Sequence, residues 1–479
     1  MFVLVILLSY FAILYTYSYF HSSKNSNETF FRGNRNSRWY LVAFGMIGAS
    51  LSGITFVSVP GMVMWSDMTY LQTCLGYILG YFIVAFVLLP IFYRHNLTTI
   101  YSFLKIRLGE TSYKTGALFF LISKLIGAAA RFYVVCLILD RFVFKELNIP
   151  FFVTVPFLMA LIWLYTRNGG IRTLVHTDVI QTFFMLLSLG VILYGVLEVL
   201  DFSLAEAFKE VVSSGHSRIF EFSDIKSPQN FFKQFISGAF IVVVMTGLDQ
   251  DMMQKNLTCK TLHEAKKDMC TYAFAFAPVN LLFMVLGILL ICAFNTKGIA
   301  IPEKFDNLLI DAISNGILGM SAKIFFIIGI VSAAFSSADS SLTALTTTYC
   351  VDIKEKSSDV RLRKNTHAMM AILFAFAVLI FNYFNSTSLI DAIFILCGYT
   401  YGPLLGLFSF AILGRRNVMD KATPYIAMLS PVACFVISQL TLKMFGYKFG
   451  YELLLLNGAL TFAGLYAFSS EKKCVSLEN

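Results

Sequence analysis

Residues 330–348, IVSAAFSSADSSLTALTTT, place many hydroxyl groups and one carboxylate in a run otherwise apolar enough for a membrane helix. Within it, Ala333, Ser336 and Ser337 stand at spacing i, i+3, i+4 and therefore share one helix face. Residues 44–61, FGMIGASLSGITFVSVPG, crowd Gly45, Gly48, Ser50, Ser52, Gly53 and Thr55 into positions where a lipid-facing helix would carry Leu and Ile. A helix unwound there frees backbone carbonyls, and those of Gly48 and Leu51, about one turn apart, can point together. Carbonyls of Gly48, Leu51 and Ala333 with the hydroxyls of Ser336 and Ser337 suit a hard cation such as Na+, which takes about five or six oxygens.

Charged side chains in apolar runs are the next candidates, because each is costly to bury. Asp178, in HTDVIQ, and Asp339 lie toward the inner ends of their runs, where the two carboxylates can approach each other and share a proton. Lys124 and Arg131 are seven residues apart, two turns along one helix face. A guanidinium there suits bidentate capture of a carboxylate. Ser50, Ser52 and Thr55 flank the expected break and face a central cavity with Arg131, to which Gln72 and Thr246 add polar atoms. Asp249 and Gln250 sit at the inner mouth in structural or gating positions. A blander reading makes the Gly, Ala and Ser residues packing surfaces, has Lys124 snorkel or pair with an Asp, and gives Arg131 a structural partner. It leaves Asp339, and the mid-membrane position of all three polar runs, without a reason.

The elements that must position these groups are transmembrane helices. Of the 479 residues, 57% are hydrophobic and 14% charged, with a mean hydropathy of +0.73, which excludes a set of soluble domains. About thirteen runs reach the roughly 20 residues needed to cross a bilayer, at about 2–20, 39–64, 68–92, 115–140, 150–166, 173–197, 233–254, 271–294, 322–348, 367–384, 388–412, 422–442 and 449–469. The first has no basic n-region and no cleavage site, and is read as an uncleaved span with the N-terminus outside. On that reading, 24 of the 37 Lys and Arg fall in inner loops and the tail and 9 in outer loops, as the positive-inside rule requires. The net charge of +9 is topology, not a nucleic-acid footprint. Outer loops at about 198–232 and 295–321 are long enough for short helices. The nine cysteines show no CxxC and no His cluster accompanies them, which argues against disulfides and structural metals. The seventh run carries MTGLDQD, and the starts of it and the second run are five spans apart. That spacing fits two five-helix repeats of inverted topology whose broken first helices meet at a solute site.

The stretches GASLSGITFVSVPG (48–61), GGIRTLVHTDVIQTFFML (169–186), GLDQDMMQKNLTCK (247–260) and AAFSSADSS (333–341) resemble the sodium:solute symporter family, relatives of the bacterial proline, galactose and sialic acid transporters. The resemblance covers nearly the whole chain as a single membrane domain. It implies an all-α, leucine-transporter-like fold: a ten-helix core over 39–412, one extra helix in 1–38, and two more with a short tail in 413–479. It implies a Na+ site on Gly48, Leu51, Ala333, Ser336 and Ser337, and in some members a second one at the positions of Asp178, Ser336, Asp339 and Ser340. An Asp at 339 departs from the serine of those members. Arg131 is similar in position to the arginine with which sialic-acid-type members hold a carboxylate.

The expected activity is Na+-coupled symport of a small solute (a sugar, a sugar acid such as sialic acid, or another carboxylate) in the cell's inner membrane, C-terminus cytoplasmic. Partners are the solute, Na+ and lipid, with no nucleic acid and no obligate protein. A membrane enzyme would want a nucleophile or metal-ligand motif, and none is visible. A transporter-like sensor would want a signalling domain after the last span, where about ten residues remain. A proton-coupled carrier and a channel are the remaining alternatives.

Overall fold

In hydrocarbon every backbone N–H and C=O needs an internal partner, so apolar runs of this length fold as helices. The computed structural model describes residues 2–21, 26–384, 389–414 and 416–471. Among these, eight helices are long and apolar enough to cross a membrane, including Tyr70–Arg94, Glu110–Phe144, Ile171–Leu200, Leu262–Thr296 and Met320–Ile353. Two further pairs, Trp39–Ser50 with Gly53–Ser66 and Phe231–Gly247 with Gln250–Asn256, each pass the same test as one bent unit. Shorter apolar helices cover Leu4–Phe20, Gly398–Leu413 and Leu453–Ala467. Spans are numbered below in the order of the runs above.

Both predicted breaks are present. The halves of the second span meet at 61°, because Leu51 (ψ 97°) and Ser52 (ψ 169°) are extended. Among the described residues no N–H donates to the carbonyl of Gly48 or Leu51, so the break leaves both free to serve a ligand. The halves of the seventh span meet at 70° after a π-helical turn at Val243–Gly247. Asp249 restarts the helix as N-cap, its Oδ1 accepting the Asp251 N–H at 2.9 Å.

Helices close on one another where side chains are smallest. Gly45 lets the sixth span, Ile171–Leu200, approach so closely that a β-carbon at 45 would lie 2.9 Å from Asp178 Cβ. Gly48 packs on Thr182 of the same span in the same way. The ninth span, Met320–Ile353, runs beside the sixth and touches both halves of the second. The polar runs noted in the sequence therefore converge on one region. Away from it, the long loops at about 198–232 and 295–321 carry the expected short helices, Leu204–Ser213 and Leu308–Ser314, the first with a Ser203–Glu206 capping box. A two-stranded ribbon, Arg416–Val418 with Ser469–Glu471, ties the chain after the eleventh span to the end of the last helix.

Candidate functional site

A cavity of about 120 Å³ opens at the break of the second span. Ser50, Ser52 and Thr55 line it, as do Lys124 and Arg131 of the fourth span and Thr246 of the seventh. Aromatic and amide groups join them, Tyr70, Tyr77 and Tyr81 from the third span and Tyr272, Phe276 and Asn280 from the eighth, with aliphatic side chains such as Ile54, Val59 and Met245 between them. Tyr81 donates its hydroxyl to that of Tyr272 at 2.7 Å, and Tyr272 donates to Ser50 in a short hydrogen bond. The tyrosine chain fixes the Ser50 side chain beside the break. Tyr272 and Asn280 were not legible as wall residues, since a lone Tyr or Asn in an apolar helix reads equally well as core.

Arg131 is half-buried at this wall, and no carboxylate among the described residues pairs with it. Lys124 behaves differently. Its Nζ lies 3.0 Å from Asp249 Oδ2 and 2.7 Å from Asp251 Oδ2, all three side chains buried. Tyr401 completes the cluster, donating to Asp249 Oδ2 at 2.8 Å. Lys124 thus takes its pairing role, and Asp249 its structural one, at the end of the cavity where the seventh span bends. Gln250 is likewise structural: its Oε1 accepts the Ile100 N–H at 3.0 Å and its Nε2 donates to the Thr98 carbonyl at 3.2 Å.

Gln72 does not belong to the cavity wall. It is fully buried at the start of the third span, where its amide donates to the carbonyls of Thr69 and Gln229 and accepts the Glu221 N–H. Every polar atom is committed to Thr69 and to the loop that carries Glu221 and Gln229, so none is left for a solute.

Gly48 and Leu51 stand at the freed carbonyls, with Ala333, Ser336 and Ser337 buried on the facing ninth span. Ser336 Oγ donates to Asp178 Oδ1 at 2.7 Å, which leaves its lone pairs unspent. Asp178 Oδ2 faces Lys255 Nζ at 2.8 Å, both side chains 1% exposed. Asp339 accepts the Tyr165 hydroxyl at 2.6 Å on one oxygen and Ser340 Oγ at 3.2 Å on the other. Lys255 is the residue that sequence reasoning missed. Its position just past the run at 233–254 places it among loop charges, whereas the bend after Gly247 turns the helix carrying it back into the protein.

The arrangement offers freed carbonyls and hydroxyls to a hard cation, with a guanidinium, paired with no carboxylate among the described residues, lying among hydroxyl and aromatic groups nearby. The family model of the sodium:solute symporter family matches residues 30–423. The sodium/sialic acid symporter NanT of Aliivibrio fischeri is 27% identical over 94% of this chain and 90% of its own length. The sodium/sialic acid symporter SiaT of Proteus mirabilis is 26% identical over 85% and 83%. Among solved structures, a Na+-coupled sialic acid symporter in a substrate-bound outward-open state superposes with a TM-score of 0.81 at 20% identity, covering 98% of this chain and 99% of that one. A nucleobase-cation symporter in a closed conformation reaches 0.60 at 17% identity, covering 92% and 94%.

Proposed function

This chain belongs to the sodium:solute symporter family, and from that membership we propose that it carries a small sugar acid of the sialic acid kind across the membrane together with Na+. It is an integral, multi-pass membrane protein. The observation that carries the substrate class is Arg131. A guanidinium held half-buried, with no carboxylate paired to it among the described residues, is costly unless a ligand completes it, and a planar acid group does so with two parallel hydrogen bonds. Hydroxyls of Ser50, Ser52 and Thr55, the Asn280 amide and the tyrosine wall suit a polyhydroxylated body attached to that acid.

Na+ is held, on this reading, by the carbonyls of Gly48, Leu51 and Ala333 and the hydroxyls of Ser336 and Ser337. Its support is the freed state of the first two carbonyls and the convergence of the second and ninth spans. A helix broken at mid-depth couples the two ligands physically, since the same unwound residues face the cation on one side and the solute cavity on the other. Thirteen spans, built as a five-plus-five inverted repeat over 39–412 with one helix before and two after, fit the two bends of 61° and 70° five spans apart. With the N-terminus outside, the cavity wall opens outward and the Lys124–Asp249–Asp251 cluster closes the inner end.

Uptake of radiolabelled N-acetylneuraminate into proteoliposomes, with an imposed inward Na+ gradient, tests the proposal. Accumulation that saturates with Na+ and is competed by other sugar acids but not by neutral sugars is the expected result. Equal uptake with K+ in place of Na+ refutes the coupling, and competition by neutral sugars alone refutes the acid.

A further inference from the structure

The inner segment of the seventh span, Gln250–Asn256, brings a cation of its own to the region where Na+ is expected. Lys255 Nζ stands 2.8 Å from Asp178 Oδ2, and Asp178 Oδ1 accepts the Ser336 hydroxyl at 2.7 Å. Asp178 and Ser336 are fully buried and Lys255 is 1% exposed, so water does not screen the pair. The same ammonium also interacts electrostatically with Asp251 and Asp339. Asp339, for its part, spends one oxygen on the Tyr165 hydroxyl and the other on Ser340.

A second Na+ bound by Asp178, Asp339 and Ser340 would have to share the Asp178 carboxylate with that ammonium. Two like charges on one buried carboxylate repel strongly, because the surroundings are poorly polarisable. The lysine also delivers its charge without the cost of capturing and dehydrating an ion, since the chain holds it there.

We infer that Lys255 is a tethered cation standing in for a second Na+ at Asp178, so that this carrier binds one Na+ per cycle, and that the Lys255–Asp178 pair orients Ser336 toward the Na+ it does bind. The inference rests on the Na+-symport reading. Asp178 fixes the direction of the Ser336 hydroxyl proton, and Lys255 fixes Asp178. Lys255 is thus a positioning residue that acts on Na+ through two others, and it rides on the broken helix. Movement of that helix is transmitted to the Na+ site through a chain of two contacts.

The test counts ions directly, by equilibrium binding of ²²Na+ to purified, solute-free protein. Wild type is expected to bind one Na+ per chain with a Hill coefficient near 1. Lys255→Gln, which frees the Asp178 oxygen, is expected to bind two with a Hill coefficient above 1, whereas Lys255→Arg keeps one. Two Na+ on wild type, or one on a folded Lys255→Gln, overturns the inference while leaving symport intact. No Na+ on wild type overturns the symport reading, and this inference with it. Should Lys255→Gln fail to give monodisperse protein, Lys255→Met with Asp178→Leu removes both charges together. That variant is expected to bind one Na+ about tenfold or more weakly, and wild-type affinity in it overturns the positioning role.

Discussion

Arg131 and Lys124 sit two turns apart on one helix face, yet their surroundings give them opposite roles. Lys124 is neutralised by Asp249 and Asp251 within 3.0 Å, whereas Arg131 looks into the cavity with no paired carboxylate among the described residues. Arg131→Gln is expected to abolish acid uptake while leaving Na+ binding unchanged, since losing one partner of a desolvated pair costs about 2–5 kcal/mol. Arg131→Lys should fail nearly as badly, because an ammonium does not reproduce the planar two-bond grip. Normal uptake by either variant, or joint loss of Na+ binding and folding, would show the guanidinium to be structural. For Lys124→Met the expected defect is in stability: two buried carboxylates lose their cation, at a cost of about 3–5 kcal/mol. A lowered melting temperature, partly restored by adding Asp251→Asn, is the measurement that checks it. At this scale the sequence was legible where a residue type admits few environments, as for Arg131 and Asp178. It was not legible for Gln72, whose amide serves a loop as readily as a ligand, nor for Lys255, whose depth depends on a bend that residue type does not encode.

The breaks were readable as elements, because Gly, Ser and Thr clustered at mid-depth disfavour a lipid-facing helix and the following residues must line something polar. Their consequence is that helix ends, which ordinarily face water, are brought inside the membrane with carbonyls to spare. Removing the facing hydroxyls should therefore act on Na+ rather than on folding. Ser336→Ala with Ser337→Ala is expected to raise the Na+ concentration for half-maximal uptake tenfold or more, as two ligand losses of about 1 kcal/mol each exceed the 1.4 kcal/mol of a decade. Unchanged Na+ dependence in the folded double variant would refute the site. Gly45 has the complementary part: with a β-carbon 2.9 Å from Asp178 Cβ, Gly45→Leu is expected to push the sixth span away and to lower thermal stability and Na+ affinity together. The seventh span's bend angle was not readable. It is set by capping at Asp249 and by the Lys124 contacts, which exist only once distant spans have assembled.

Across the whole molecule, orientation rests on where basic residues fall relative to the spans. Gly215, exposed beside the outer helix Leu204–Ser213, and Ser358, exposed before the tenth span, lie on opposite sides in the proposed topology. Gly215→Cys is expected to react with an impermeant maleimide on intact cells, and Ser358→Cys only after the membrane is opened. The reverse pattern would invert every depth assignment above.

The charged groups around the two breaks also have an electrical consequence. Around the two breaks Asp178, Asp249, Asp251 and Asp339 outnumber Lys124, Arg131 and Lys255 by one, so with all seven ionised this cluster carries one excess negative charge in the empty carrier and a single bound Na+ cancels it. A membrane potential, negative inside, then pushes on the empty form and hardly at all on the Na+-loaded one before solute binds. Crossing the whole field is worth about 2.3 kcal/mol per charge per 100 mV, and the resting cell accordingly drives the outward return of the unloaded site. Solute-free transient currents on a solid-supported membrane should shrink as Na+ is added, and should vanish without Na+ in Asp339→Asn, whose site is already balanced.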